Sequence, residues 1–265
     1  MSVNRIEACL EKLKTQNEKA FITYITAGLR NMDETKSIVK AQSGYTDIIE
    51  LGIPFSDPIA DGPVIQQASY EAILNGANIH KSFELMKELR SEGCEQPIVF
   101  MLYYNTVVNM GIDTFVEKCR ECGVDGLIIP DLPMEEQEQL KKALVGDDTT
   151  ILIQLVSPVS ANRIPEILSD ARGFVYCVSS MGVTGQSATF HKEVISYLTN
   201  VKNQSNIPVM MGFGIRTAKD VAPMKDIIDG AIVGSHFINI MRENDYKAEA
   251  ATEYVRTFKK ELNEL

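Results

Sequence analysis

Short apolar runs separated by helical patterns recur without a break from residue 20 to residue 235, and this alternation limits the chain to very few folds. The runs are AFITYITAG (20–28), DIIELG (47–52), PIVFMLYY (97–104), DGLIIPDL (125–132), TTILIQLV (149–156), GFVYCVSS (173–180), IPVMMGFG (207–214) and GAIVGS (230–235). Most are rich in β-branched and other large aliphatic residues, as expected of strands covered on both faces. Parallel strands need crossovers of about a dozen or more residues, and one helical pattern is predicted between most of these runs. Eight such units joined by right-handed crossovers close into a (β/α)8 TIM barrel, which typically takes roughly 250 residues. An open doubly wound sheet is the structural alternative. No linker rich in Gly, Pro or Ser divides the alternation, so a single domain over residues 1–265 is predicted.

Two additions to the simple repeat are expected. Ile6, Leu10 and Leu13 fall at helical spacing, predicting an amphipathic helix over residues 3–16 that covers one end of the barrel. After the second strand the chain carries a loop and two helical patterns, closed by Gly76 and Gly93, so this connection is enlarged. The segment from Asp245 to Leu265 reads as a final helix.

A net charge of −10, with no Lys/Arg block and few aromatic residues, argues against nucleic acid as a partner. No apolar run approaches the roughly 20 residues needed to cross a membrane, and the opening MSVNRIEACLEKLK has no signal-peptide core, so a cytoplasmic protein is expected. Five cysteines, an odd number, suit a reducing compartment. Cys119 and Cys122 form a CxxC inside a helical pattern with no second cysteine pair, which favours a structural role. Three dispersed histidines give no support to a metal site.

The stretch DIIELGIPFSDPIADGPVIQ (47–66) departs from this pattern in a way that suggests chemistry. Glu50 lies among aliphatic residues in a buried strand, where loss of hydration raises a carboxyl towards neutral pH. Pro54, Asp57, Pro58 and Gly62 make a structured loop that carries a second acid, Asp61. Either acid alone has an ordinary reading, Glu50 as a strand-end residue and Asp61 as a cap for the helix beginning at Pro63. Together, two carboxyl groups in unlike surroundings suit acid and base steps run by separate groups.

At the carboxyl ends of barrel strands, where such enzymes keep their chemistry, lie Asp131-Leu132-Pro133, Tyr176, Gly182-Val183-Thr184-Gly185, Gly212-Phe213-Gly214 and Gly234-Ser235. Glycines after the last three strands let main-chain N–H groups approach an anion, so a phosphate site is expected there. Tight turns alone would also account for them. No Lys ends a strand, which argues against an imine-forming aldolase. Tyr24, Ile65, Met101, Ile128 and Phe213 fit either an apolar slot between phosphate anchor and acids or ordinary barrel core.

ELGIPFSDPIADGPVIQ, followed in order by GVTG, GFGI and GS, resembles the tryptophan synthase alpha chain family over essentially the whole chain. The resemblance implies retro-aldol cleavage of indole-3-glycerol phosphate to indole and glyceraldehyde 3-phosphate. No cofactor would act in this subunit, and indole would pass to a pyridoxal phosphate-dependent beta subunit in an alpha2beta2 complex. On the same basis Glu50 would protonate indole C3 and help to deprotonate the glycerol hydroxyl. Asp61 would hold the indole N–H and stabilise the cationic indolenine. Gly185, Gly214, Gly234 and Ser235 match the phosphate site, and Tyr176 and Thr184 match the mobile loop that closes over substrate. Pro54, Asp57, Pro58 and Asn105 match partner-facing positions. The chain departs from the family at Leu29-Arg30, where Asp-Pro is usual, and at His236, where Ala is usual. A stand-alone lyase that releases indole, a phosphosugar isomerase on the same barrel, and a non-enzymatic activator are the alternatives.

Overall fold

A computed structural model describes residues 4–146, 149–178, 188–212 and 214–265. Nine strand segments form one parallel sheet. The first strand, Ala20–Thr26, pairs on one side with the second, Ile48–Gly52, and on the other with the last, Gly230–Val233. The sheet's two outermost segments, Ile151–Leu152 and Gln154–Val156, follow each other directly in the chain, with only Ile153 between them. They are two pieces of one fifth strand, so the covalent chain itself closes the ring, and eight strands in this sense make the predicted TIM barrel. The remaining four are Ile98–Met101, Gly126–Ile128, Val175–Cys177 and Val209–Met211.

Alternation along the strands sorts side chains into two cores. Phe21, Ile49, Leu51, Phe100, Leu127, Val175 and Val209 point outward into the layer beneath the helices. Ile22, Ile48, Val99, Ile128, Tyr176, Met210 and Ile232 point inward and fill the barrel. Both sets are buried. Cys119 and Cys122 belong to the outer core on the helix Ile112–Cys122, in keeping with the structural reading of the CxxC.

The connections are less regular than the sequence suggests. Two helices, Tyr104–Met110 and Ile112–Cys122, follow the third strand, broken at Gly111, whose φ of 86° suits glycine. Because the first of these helices already begins at Tyr104, the third strand stops at Met101, short of the predicted 97–104. Between the seventh and eighth strands the predicted helix is replaced by two 3-10 turns, Ala218–Asp220 and Ala222–Met224. The buried residues there are Ala218, Val221 and Met224, a spacing of three rather than 3.6, which matches a 3-10 turn; Pro223 further disfavours a continuous helix.

The helix Arg5–Gln16 plugs the amino-terminal end of the barrel, as predicted. Its cap fixes it in place. The Asn4 side-chain oxygen accepts the Ile6 and Glu7 N–H groups, while its amide donates to Asp125 and Thr149 carbonyls at 2.8 and 2.7 Å. Ile6 occupies space left by Gly126 and Gly173. A Cβ at Gly126 would lie 2.9 Å from Ile6 Cδ1, and one at Gly173 would lie 3.5 Å from Ile6 Cγ2. Truncation of Ile6 to Ala should therefore leave a void between strands that cannot close in, at a cost of about 2–5 kcal/mol. Urea unfolding is expected to show this loss, while the chemistry at the opposite end of the barrel is unchanged in the protein that remains folded.

Candidate active site

Glu50 faces the barrel interior because Ile49 and Leu51, its neighbours in the strand, take the outward positions. Register places it between Tyr24 of the first strand and Val99 of the third. Its exposure is 0%, and neither carboxylate oxygen has a hydrogen-bond partner among the described residues. A charged carboxylate so placed would lose its hydration with nothing in return. Burial accordingly pushes the carboxyl from an ordinary value near 4.5 up to about 8.

Asp61 differs. The loop from the second strand brings it back towards the barrel mouth, and the helix Pro63–Leu74 begins just beyond it with Gly62 at its cap and no side-chain cap bond. Asp61 therefore is not the helix cap, and Pro63, lacking an N–H, suits the first helical position. Its carboxylate Oδ2 instead accepts the Tyr103 hydroxyl at 2.9 Å. Burial pushes Asp61 up to about 6, against the downward pull of that hydrogen bond.

Two tyrosines join the acids. Both phenols are raised first by burial and then by negative charge from Glu50 and Asp61, so each lies within electrostatic reach of both acids. Glycines on neighbouring strands make room for them. A Cβ at Gly52 would sit 2.0 Å from the Tyr24 hydroxyl, and one at Gly212 would sit 2.4 Å from Tyr176 Cε2. The Tyr24 hydroxyl also lies 3.2 Å from Thr26 Oγ1.

The eighth strand ends against the same group. A Cβ at Gly234 would lie 3.5 Å from Tyr24 Cβ and 3.9 Å from Ile65 Cδ1. Gly234 caps the helix Ser235–Glu243, and Ser235 is exposed at its start. Gly214, exposed with φ of 70°, follows the seventh strand. Tyr24 packs with Ile65 and Met101, and Met101 also touches the interior core that contains Ile128 and Tyr176. The structure thus brings Glu50, Asp61, Tyr24, Ile65, Met101, Ile128, Tyr176 and Gly234 to one end of the barrel. Thr184, Gly185 and Phe213 lie outside the described residues. Asp57 and Asn105 are exposed, and Pro54 and Pro58 are half-buried, on the outer side of the acid loop and the helix Tyr104–Met110.

The sequence does not single out Tyr103 or Gly52 for the site, whereas Gly212 is expected there as part of a phosphate-binding turn and is found making room for Tyr176. Tyr103 was assigned to the third strand, and only its place at a strand's carboxyl end pointed to it. The departure at Leu29-Arg30 also reaches this region. Leu29 packs with Tyr24, Ala68 and Ile238, and Arg30 pairs with Asp245 at 2.5 Å beneath the Tyr246 ring. His236 meets the Tyr254 ring edge-on at 5.7 Å. A separate cleft of about 830 Å³, lined by residues that include Leu10, Lys19, Met210 and Asp229, opens at the amino-terminal end and contains neither acid. Among the described residues no group of three His, Cys, Asp or Glu side chains is placed to hold a metal, and no helix is long and apolar enough to cross a membrane.

Residues 10–265 match the family model for the tryptophan synthase alpha chain. The tryptophan synthase alpha chain of Lachnospira eligens is 62% identical over 263 residues, covering 98% of this chain and 100% of the relative. Among solved structures, tryptophan synthase subunit alpha from Legionella pneumophila superposes with a TM-score of 0.89 at 32% identity, covering 100% of both chains. A chain of the tryptophan synthase complex from Pyrococcus furiosus superposes with a TM-score of 0.81 at 31% identity, covering 94% of this chain and 99% of that one.

The state of Glu50 has a consequence for stability. The folded protein keeps its proton up to about pH 8, while the unfolded chain releases it near 4.5, so stability falls as pH rises through that window. Glu50→Gln, neutral throughout, is expected to match the wild type near pH 4 and to exceed it at pH 9 by on the order of 3–5 kcal/mol. Urea midpoints at the two pH values check this; an equal difference at both would mean that Glu50 is not the buried, proton-holding group described above.

Proposed function

The chain belongs to the tryptophan synthase alpha chain family, lyases that cleave indole-3-glycerol phosphate in tryptophan biosynthesis, and from that premise we propose that Glu50 and Asp61 divide the proton chemistry of the cleavage. The supporting observation is the buried carboxyl of Glu50, which has no hydrogen-bond partner among the described residues. At neutral pH it rests mainly as the acid, ready to give a proton to indole C3. Protonation there makes the ring a cationic indolenine. Asp61, ionised above about pH 6, accepts the indole N–H and stabilises that cation with a fixed negative charge. Glu50, now a carboxylate, takes the proton of the glycerol hydroxyl next to the breaking bond. The carbon–carbon bond pair flows into the ring and restores neutral indole, the oxygen becomes the aldehyde of glyceraldehyde 3-phosphate, and Glu50 is again protonated. The cycle balances without a cofactor in this chain.

Tyr24, Ile65, Met101, Ile128 and Phe213 would form the apolar slot for indole, with Thr184 closing over it; Tyr176, expected in the mobile loop, instead lies buried in the strand Val175–Cys177 and would be part of the fixed wall. Main-chain N–H groups at Gly185, Gly214, Gly234 and Ser235 would hold the phosphate. The family's partner is the beta subunit, which carries pyridoxal phosphate, and an alpha2beta2 assembly in the cytoplasm is the arrangement proposed. Pro54, Asp57, Pro58 and Asn105 would face that partner. Beside them Ile59 and Val108 are 83% and 54% exposed, apolar area suited to burial at an interface. Family membership sets aside the phosphosugar isomerase alternative.

Indole release from indole-3-glycerol phosphate, with the beta subunit present, should fall about 100- to 10,000-fold in Glu50→Gln, as expected for loss of a positioned acid/base. In the wild type, kcat/KM should fall below about pH 6 as Asp61 gains a proton and above about pH 8 as Glu50 loses one. Near-normal turnover by Glu50→Gln would overturn this assignment of roles.

A further inference from the structure

We propose that Tyr103 is the positioning residue of the second acid, holding Asp61 through Oδ2 so that Oδ1 is the oxygen presented to the indole N–H. The inference rests on the reading of Asp61 given above and deepens it.

The geometry fixes the direction of the contact. The Ala60 N–H donates to the Tyr103 oxygen at 2.9 Å, so one acceptor position of the hydroxyl is taken. Its single proton is left to point at Asp61 Oδ2, also 2.9 Å away. Ala60 and Asp61 are consecutive, so one hydroxyl grips the backbone and the side chain of the same turn. The ring cannot swing easily. It is 4% exposed and stacks on Phe55, with centroids 5.0 Å apart and planes at 19°. Phe55 is anchored in turn, its N–H donating to Ser69 Oγ at 2.7 Å and its carbonyl accepting from that hydroxyl at 2.8 Å. Tyr103 itself caps the helix Tyr104–Met110, whose first N–H donates to Asp131 Oδ1 at 2.9 Å.

Among the described residues Oδ1 of Asp61 takes no hydrogen bond, so the Tyr103 contact occupies one carboxylate oxygen and leaves the other to a further donor. A hydrogen bond donated to a carboxylate favours its ionised form as well as its orientation. None of the other described groups that bear on Asp61 does this work. Tyr24 and Tyr176 feel its charge without bonding to it, and Glu50 shares those two tyrosines. Asp131 bears on Tyr103 only as a further negative charge. Among the described residues the Tyr103 hydroxyl is the group that pulls Asp61 back towards the carboxylate.

The test compares wild type and Tyr103→Phe, which keeps the ring and its stack, as the full chain with its beta subunit. Expected are a roughly 10-fold or greater fall in kcat at pH 6.5, and an acid limb of kcat/KM moved up by about half to one pH unit, for loss of a charge-assisted hydrogen bond. Carboxyl NMR of Asp61 in both proteins should move by the same amount. Thermal midpoints should agree closely, since Ala60 is exposed and water can take its N–H. An unchanged pH profile and an unchanged Asp61 titration would overturn the proposal, as would a fall in activity that follows a fall in thermal midpoint at every pH. Should Tyr103→Phe not fold, Phe55→Leu, which loosens the stack and leaves the hydroxyl, is expected to move the same limb the same way by less; no movement would overturn the proposal. Wild type that releases no indole would refute the catalytic reading itself, whereas active wild type with an indifferent variant would refute only the part given to Tyr103.

Discussion

A carboxyl group with no hydrogen-bond partner among the described residues, set inside an apolar barrel, is the feature around which the rest of this molecule is arranged. Leaving Glu50 ionised there would cost far more than holding a proton, so the fold keeps it as an acid well past the pH at which an exposed glutamate would ionise. That state weakens the fold above neutral pH, and the surrounding structure must carry the burden. It does so with two dense cores, one inside the strands and one outside, and with a helix that seals the far end of the barrel. Sealing matters for the acid too, because water reaching the interior from below would hydrate the carboxylate and lower its affinity for the proton.

Glycine gives the active end its shape by absence of side chains. Gly52 and Gly212 yield the volume that Tyr24 and Tyr176 fill, and each of those rings lies near both acids. Gly234 lets the start of the last helix approach Tyr24 and Ile65. The two acids are thereby given unlike surroundings on a single connected stretch of chain: among the described residues, Glu50 on its strand has no donor and Asp61 on its loop has the Tyr103 hydroxyl. Their separation, near 8 and near 6, reflects the deeper burial of Glu50, the lower ordinary value of an aspartate and the hydrogen bond that Tyr103 gives to Asp61.

Much of this was legible in the sequence because period-2 burial and strand-helix alternation are written in residue type. The eight runs, the plugging helix at Ile6, Leu10 and Leu13, and the anomaly of Glu50 all fall in this class. What escaped depends on exact spacing or on distant partners. Ala218, Val221 and Met224 pass for a helical pattern until their interval of three is weighed against Pro223. Nothing in the run TTILIQLV marks Ile153 as the break that joins the ring. Tyr103 reads as one more strand residue, since its bond to Asp61 spans 42 positions that only the folded chain brings together. The family resemblance supplied the chemistry and the partner, whereas the raised acidities come from burial, which the sequence could indicate in direction and the structure alone could rank.

Infrared difference spectroscopy across a pH titration tests the central claim most directly, comparing the wild type with Glu50→Gln. A protonated-carboxyl band present at pH 7, absent from the variant and disappearing near pH 8, is the result this account requires. A Glu50 band that vanishes between pH 4 and 5, as for an ordinary glutamate, would show the group to be hydrated or paired, and would contradict the account at its root.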